Sequence, residues 1–141
     1  MAEAYLKSLK LPNISVQSSG CVADTYKTDN EQRIPHVIAV LDKHNISQYA
    51  KRHPEQLTQQ RVDDADITIC TNQRVANESK RIVTLPPNVQ IWDVEDAGEG
   101  ARTLKPGDDP YKFGEEIYEQ IVHKVDELVE DPPEQIGASL V

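Results

Sequence analysis

Short apolar runs set apart by helix-patterned stretches constrain this chain more than any other feature of it. Ile14-Ser15-Val16-Gln17-Ser18 alternates as a short strand, Asp66 to Thr71 reads as a buried strand, and Val89 to Val94 as a third. Between and around them lie helical patterns. Ala2, Tyr5, Leu6 and Leu9 fall at helical spacing, and Ile34, Val37, Ile38 and Leu41 do so again, ending near His44-Asn45. A polar helix is expected from Pro54 to Val62, and another short extended piece from Arg81 to Leu85, ahead of Pro86-Pro87. Phe113, Ile117, Ile121, Val125 and Leu128 then mark a long amphipathic helix, its apolar face widened by Tyr118, Val122 and Val129. Strands alternating with helices imply an α/β fold built on a parallel sheet with right-handed crossovers.

At 141 residues the chain makes one domain, large enough to bury a core without disulfides or metals. That domain is expected to span residues 1–130. Residues 131–141 carry Pro132-Pro133 and read as a flexible C-terminal tail. No apolar run approaches membrane-spanning length and no signal-peptide pattern opens the chain, so a cytoplasmic, non-membrane protein is expected. The net charge of −9 argues against nucleic acid and anionic membranes as partners, since both need clustered Lys and Arg. Cys21 and Cys70 lie far apart, with no CxxC spacing. His36, His44, His53 and His123 have no HxH or HxxxH partner spacing. Neither a metal site nor a cofactor is expected.

The first helix starts at the very beginning of the sequence, with no Ser, Thr, Asp or Asn ahead of it as a cap. Its "MAEAYLKSL" resembles the helix that follows the phosphate loop of the low-molecular-weight protein tyrosine phosphatases. Other landmarks match that family in the same order. "VQSSGC" is similar to its strand ending in Ser-Ala-Gly, and "HNISQYAKR" to its Asn/Asp-Ile-Ser-x-x-x-Ala/Ser-Arg stretch. "DDADITICTN" resembles its Ala-Asp-x-Ile strand, and "VQIWDVEDA" its Trp-x-Val-x-Asp-Pro segment. "DDPYKFGEEIYEQI" is similar to the Asp-Pro-Tyr loop leading into the last helix. Each match is weak alone, and their collinearity carries the resemblance. It implies a three-layer α/β/α fold around a small parallel sheet.

The same resemblance implies hydrolysis of phosphomonoesters on protein tyrosine. In the family a thiolate attacks phosphorus and forms a phosphocysteine, its pKa lowered by backbone N–H groups and a helix N-terminus. An Arg grips the phosphate oxygens and an Asp protonates the leaving oxygen. Cys21 opens a stretch of the right span but ends on Lys27 where Arg belongs, has no Gly inside it, and carries Asp24. Cys70 is followed by Arg74 at the wrong spacing and sits within a strand. Neither is the family's nucleophile. Cys70 reads as an inert buried residue, and Cys21 as either inert or redox-active.

Two carboxylates compete for the acid. Asp96 follows the strand Val89–Val94, at the sheet edge where α/β folds place their sites, although Ala97 stands where the family has Pro. Asp109 keeps the Asp-Pro-Tyr order, but Asp followed by Pro is also a helix start. Asp96 has a plain solvated carboxylate as its own alternative. Tyr111 would line a pocket for an aromatic ring or cover the helix start, and Trp92 would be core or pocket wall.

The resemblance also implies that a central strand and a Cys-(x)5-Arg loop are missing. The flanking strands would then expose inner edges whose unserved groups cost about 1–3 kcal/mol each. Of three remedies, the one expected is an upstream segment (a start misplaced at Met1); the others are direct pairing of the two flanking strands, or a partner chain filling the gap as a homo-oligomer through exposed edges. The expected function is thus a phosphatase-type domain, inactive without the loop, its partner a phosphotyrosine protein or small phosphomonoester if the loop is supplied. The alternative is a non-catalytic α/β binding or scaffold domain of the same fold. Arsenate reductases share the fold but use additional redox cysteines, and no cysteine follows Cys70.

Overall fold

A computed structural model describes residues 1–26, 35–51, 53–96, 105–130 and 136–141, with the side chains of Thr25, Tyr26 and Ile136 excepted. Lys27, Ile34, Ala97, the Gly-rich stretch after Ala97, and Pro132-Pro133 lie outside the described residues. The elements in chain order are α1 (Ala2–Ser8), β1 (Ile14–Ser18), α2 (Pro35–Lys43), α3 (Gln59–Asp63), β2 (Ile67–Cys70), α4 (Gln73–Ser79), β3 (Gln90–Ile91), α5 (Pro110–Val129) and β4 (Ile136–Leu140). Short 3-10 turns cover Ala23–Tyr26 and Ser47–Tyr49. The sheet is wholly parallel, in the order β1-β4-β2-β3.

The C-terminal strand therefore takes the centre of the sheet. Ile14 pairs with Ile136 and Ser18 with Leu140 on one side, while Ile67 pairs with Ala138 and Ile69 with Leu140 on the other. Hydrogen bonds run past the strand ends: Ser19 N–H to the Leu140 carbonyl (2.8 Å), Val141 N–H to Ile69 (2.8 Å) and Thr71 N–H to Val141 (3.1 Å). This corrects one expectation and rules out one alternative: residues 136–141 are not a frayed tail, and β1 and β2 do not pair with each other across a gap. Their inward backbone groups need partners, and the chain's own last described segment supplies them. Nothing in Ile-Gly-Ala-Ser-Leu announces a strand. Gly137 fits because the neighbouring chain comes close: its N–H donates to Asp66 Oδ2 at 2.7 Å, and a Cβ there would stand 3.4 Å from that oxygen.

The strand pleat divides the core. Ile69 and Leu140 face α1 and α5, packing with Ala2, Leu6, Ile117, Ile121 and Val125. Cys70 and Val141 point the other way, toward Val62 of α3 and Ala76 of α4. Helices thus cover both faces, the expected three layers. A third cluster joins Ala4, Val40, Leu41 and Tyr118, locking α2 against α1 and α5. Gly114 makes that approach close, since a Cβ there would lie 3.1 Å from Val40 Cγ2.

Other boundaries differ from expectation for local reasons. The polar helix is only Gln59–Asp63, started by Thr58, whose hydroxyl accepts from Arg61 N–H at 3.3 Å. Arg81 to Leu85 forms no strand. β3 has two ladder residues, but Trp92 N–H to Cys70 (2.8 Å) and Val94 N–H to Thr71 (2.9 Å) continue the attachment to β2. Asn45, at φ 57, ends α2 in the left-handed conformation that Asn tolerates, with Ile46 N–H bonded to the Leu41 carbonyl at 2.9 Å.

Tyr5 of α1 donates its hydroxyl to Asp126 Oδ1 of α5 at 2.8 Å. Burial, reinforced by Asp126, pushes the Tyr5 phenol up to about 12. A folded-state value above the ordinary one means that this contact is fully present below pH 10 and is lost as pH rises from 10 toward 12. Tyr5→Phe is expected to remove the last-titrating phenolate from an ultraviolet pH titration. An unchanged curve in that variant would contradict the pairing.

Candidate functional site

A cavity of about 450 Å³ opens at the carboxyl ends of β1 and β4, where parallel α/β sheets place their ligands. Apolar residues from three elements line it: Leu41 of α2, Ile121 of α5, and Leu140 with Val141 at the end of β4. Its polar lining comes from Glu3 in the first turn of α1, Ser18 and Ser19 after β1, Thr71 after β2, and the segment carrying Lys51, His53 and Glu55. The size suits a small molecule.

An ion network supports this rim. Glu3 is only 6% exposed, and a buried carboxylate needs partners. It has Lys7 Nζ at 2.6 Å, the Ser18 hydroxyl as a donor, and Lys51 Nζ at 3.6 Å. Lys51 also donates to the Ser18 carbonyl at 2.7 Å and pairs with Glu55. Arg61 of α3 completes the chain, donating to the Ser18 carbonyl and to Glu55 Oε2 at 3.1 Å each, and through Nε to Ser19 Oγ at 2.8 Å. The Lys51 hydrogen bond, despite partial burial and with Arg61 adding, holds the Glu55 carboxyl below its usual range. The carbonyl of Ser18 accepts from both cations, at 2.7 Å from Lys51 and 3.1 Å from Arg61. Sequence reasoning missed Glu3, Lys51 and Arg61. The Glu3/Lys7 spacing of four was the one visible signal.

The four sequence-predicted site residues are not brought together, and none belongs to the described lining of this cavity. Asp96 does sit at the carboxyl edge, beyond β3, but its Oδ2 is held 2.8 Å from Arg74 NH2 of α4. Arg74 in turn pairs with Glu78 at 2.7 Å. Asn72 fixes this corner: its side chain caps α4 by accepting from Val75 N–H at 2.9 Å and donates to the Val94 carbonyl at 3.1 Å. Asp109 is the N-cap of α5, accepting from Tyr111 N–H at 3.0 Å, with Pro110 beginning the helix. Asp109→Ala is expected to lower stability by about 1 kcal/mol and Asp109→Asn by much less, as read by urea unfolding. Tyr111 is half exposed over a separate hollow of about 270 Å³ that also involves Ala39, Lys43 and Glu115. Trp92 is 6% exposed and packs in the core with Ile117, Ile121 and Val125, its edge reaching an open hollow beside Lys124 and Leu128.

Neither cysteine lines the cavity, and no arginine does so among the described residues. Cys70 is wholly buried at the end of β2, and that burial pushes its thiol above the usual value. Cys21 is partly exposed beyond β1. No cluster of three or more His, Cys, Asp or Glu among the described residues could hold a metal ion, and no described helix is long and apolar enough to cross a membrane.

No curated protein and no solved structure matches the chain. A family model does: that of the low molecular weight phosphotyrosine protein phosphatases, over residues 1–139. With that match running through all the elements of a four-stranded parallel sheet layered by helices, the chain belongs to the low molecular weight phosphotyrosine protein phosphatase family.

Proposed function

We propose that this is a phosphatase-type domain whose cavity is the family's substrate site by position, but which does not itself hydrolyse phosphomonoesters. The observation that carries this reading is chemical. The described lining of the cavity contains neither a thiol nor a guanidinium, and neither Cys21 nor Cys70 begins a Cys-(x)5-Arg run. Without a thiolate there is no phosphocysteine, and no arginine among the described residues lines the cavity to serve the transition-state charge. Lys51 is committed to Glu3, Glu55 and the Ser18 carbonyl, so the described lining offers no uncompensated cation for a phosphate beside the apolar Leu41 and Ile121. If the loop is supplied, the partner class is a phosphotyrosine protein or a small phosphomonoester, and the compartment is the cytoplasm. Asp96 and Asp109 both stay candidates for the general acid if a nucleophile loop is supplied, the first paired with Arg74 and the second engaged as a helix cap.

Hydrolysis of para-nitrophenyl phosphate by the 141-residue chain is expected to stay at the buffer rate. Turnover that disappears in Cys21→Ser or Cys70→Ser would overturn this reading. The second reading, a non-catalytic binding domain, is favoured by one feature: β4 fills the sheet between β1 and β2. Under either reading, vanadate should leave the thermal unfolding midpoint unchanged. Tight stoichiometric vanadate binding would show a phosphate site that these residues do not explain.

A further inference from the structure

The pleat that turns Cys70 and Val141 toward α3 and α4 turns Thr68 and Ser139 the same way, two residues earlier on each strand. These two residues are partners in the ladder between β2 and β4, and Gln17 of β1 is the partner of Ser139 on its other side. Neighbouring strands lie about 4.8 Å apart, so Gln17, Ser139 and Thr68 make one polar row across three strands. The row lies under α3, where Gln17 Nε2 donates to the Arg61 carbonyl at 3.1 Å.

Thr68 and Ser139 are wholly buried, each 0% exposed. Neither hydroxyl oxygen has a hydrogen-bond partner among the described residues, so the two are not bonded to each other. Buried polar groups are nearly always satisfied, and two orphans at facing ladder positions point to one shared partner.

We propose that Thr68, Ser139 and Gln17 hold one buried water molecule between the sheet and α3. Two hydroxyls that each donate to a water at about 2.8 Å, around its tetrahedral angle, stand about 4.6 Å apart. That span is close to the strand spacing, so one water serves both side chains in their places. The water in turn donates a hydrogen to Gln17 Oε1, the acceptor next in the row. Three partners are the usual complement of an internal water.

The row also reaches the rim of the cavity. Gln17 holds the carbonyl of Arg61, and the Arg61 guanidinium holds Ser18, Ser19 and Glu55. The water thus belongs to the seat of α3, from which Arg61 supports the ion network. The proposal stands whether or not the cavity turns over phosphoesters.

A crystal structure of the whole chain at atomic resolution should show a water within hydrogen-bond reach of Thr68 Oγ1 and Ser139 Oγ. Thermal unfolding of Thr68→Val, Ser139→Ala and the double variant gives an independent readout. With the water bound, each single change should lower Tm by a few degrees. The double variant should lose clearly less than the sum, because both changes disable the same site. If the hydroxyls simply lack partners, Thr68→Val removes a buried polar group at nearly constant shape and raises Tm, and the two effects add. That pattern would overturn the proposal, as would electron density that shows no water there or the two hydroxyls bonded directly to each other.

Discussion

Proline at position 138 is expected to unfold the sheet from its centre. Ala138 is paired with Val16 on one side and Ile67 on the other, and is buried. Proline there removes a ladder donor where no edge is available to tolerate it, at a cost of about 3 kcal/mol or more. Leu140→Ala tests the same strand through packing instead of hydrogen bonding. Leu140 is 2% exposed in the main core cluster, so its truncation should cost about 2–5 kcal/mol and lower Tm by on the order of 10 °C. Thermal unfolding followed by circular dichroism reads both. A frayed tail would make both substitutions silent, and silence in both would remove β4 from the sheet.

The second large effect is expected at Trp92. As a core residue packed on α5 it should lose about 3–5 kcal/mol on change to alanine, and far less on change to phenylalanine. As a pocket wall it would do the reverse: little loss of stability, but altered ligand affinity. Chemical denaturation of Trp92→Ala beside Trp92→Phe separates the two. The core role is expected, since Trp92 is not among the residues lining the cavity at the strand ends.

What could be read from the sequence followed the strength of each periodic signal. α1, β1, α2, β2 and α5 carry apolar residues at the spacing of their own geometry, and all five are where the spacing puts them. α4 went unread because Gln73–Ser79 is polar on most sides, with Val75, Ala76 and Ser79 as its inward residues. Its one cue was the capping Asn72. β4 went unread because Gly, Ala and Ser are poor strand signals, and a Pro-Pro pair precedes them. Its place is decided by the unpaired edges of β1 and β2, which are tertiary facts. The site fared similarly. Asp109 showed its capping chemistry in the Asp-Pro pair, but the Glu3–Lys51–Glu55–Arg61 network joins segments from α1 to α3 that no local pattern connects.

The placement of β4 also bears on how the protein is made. Its partner β1 emerges from the ribosome early, and residue 14 must wait for residue 136. Until that segment is synthesised, β1 and β2 each carry an open inner edge, and no local pairing can close it. The loop to be closed runs from residue 14 to residue 136, so sheet formation is governed by long-range contacts and slower than helix packing. During that interval the strand edges stay open to pairing with other chains.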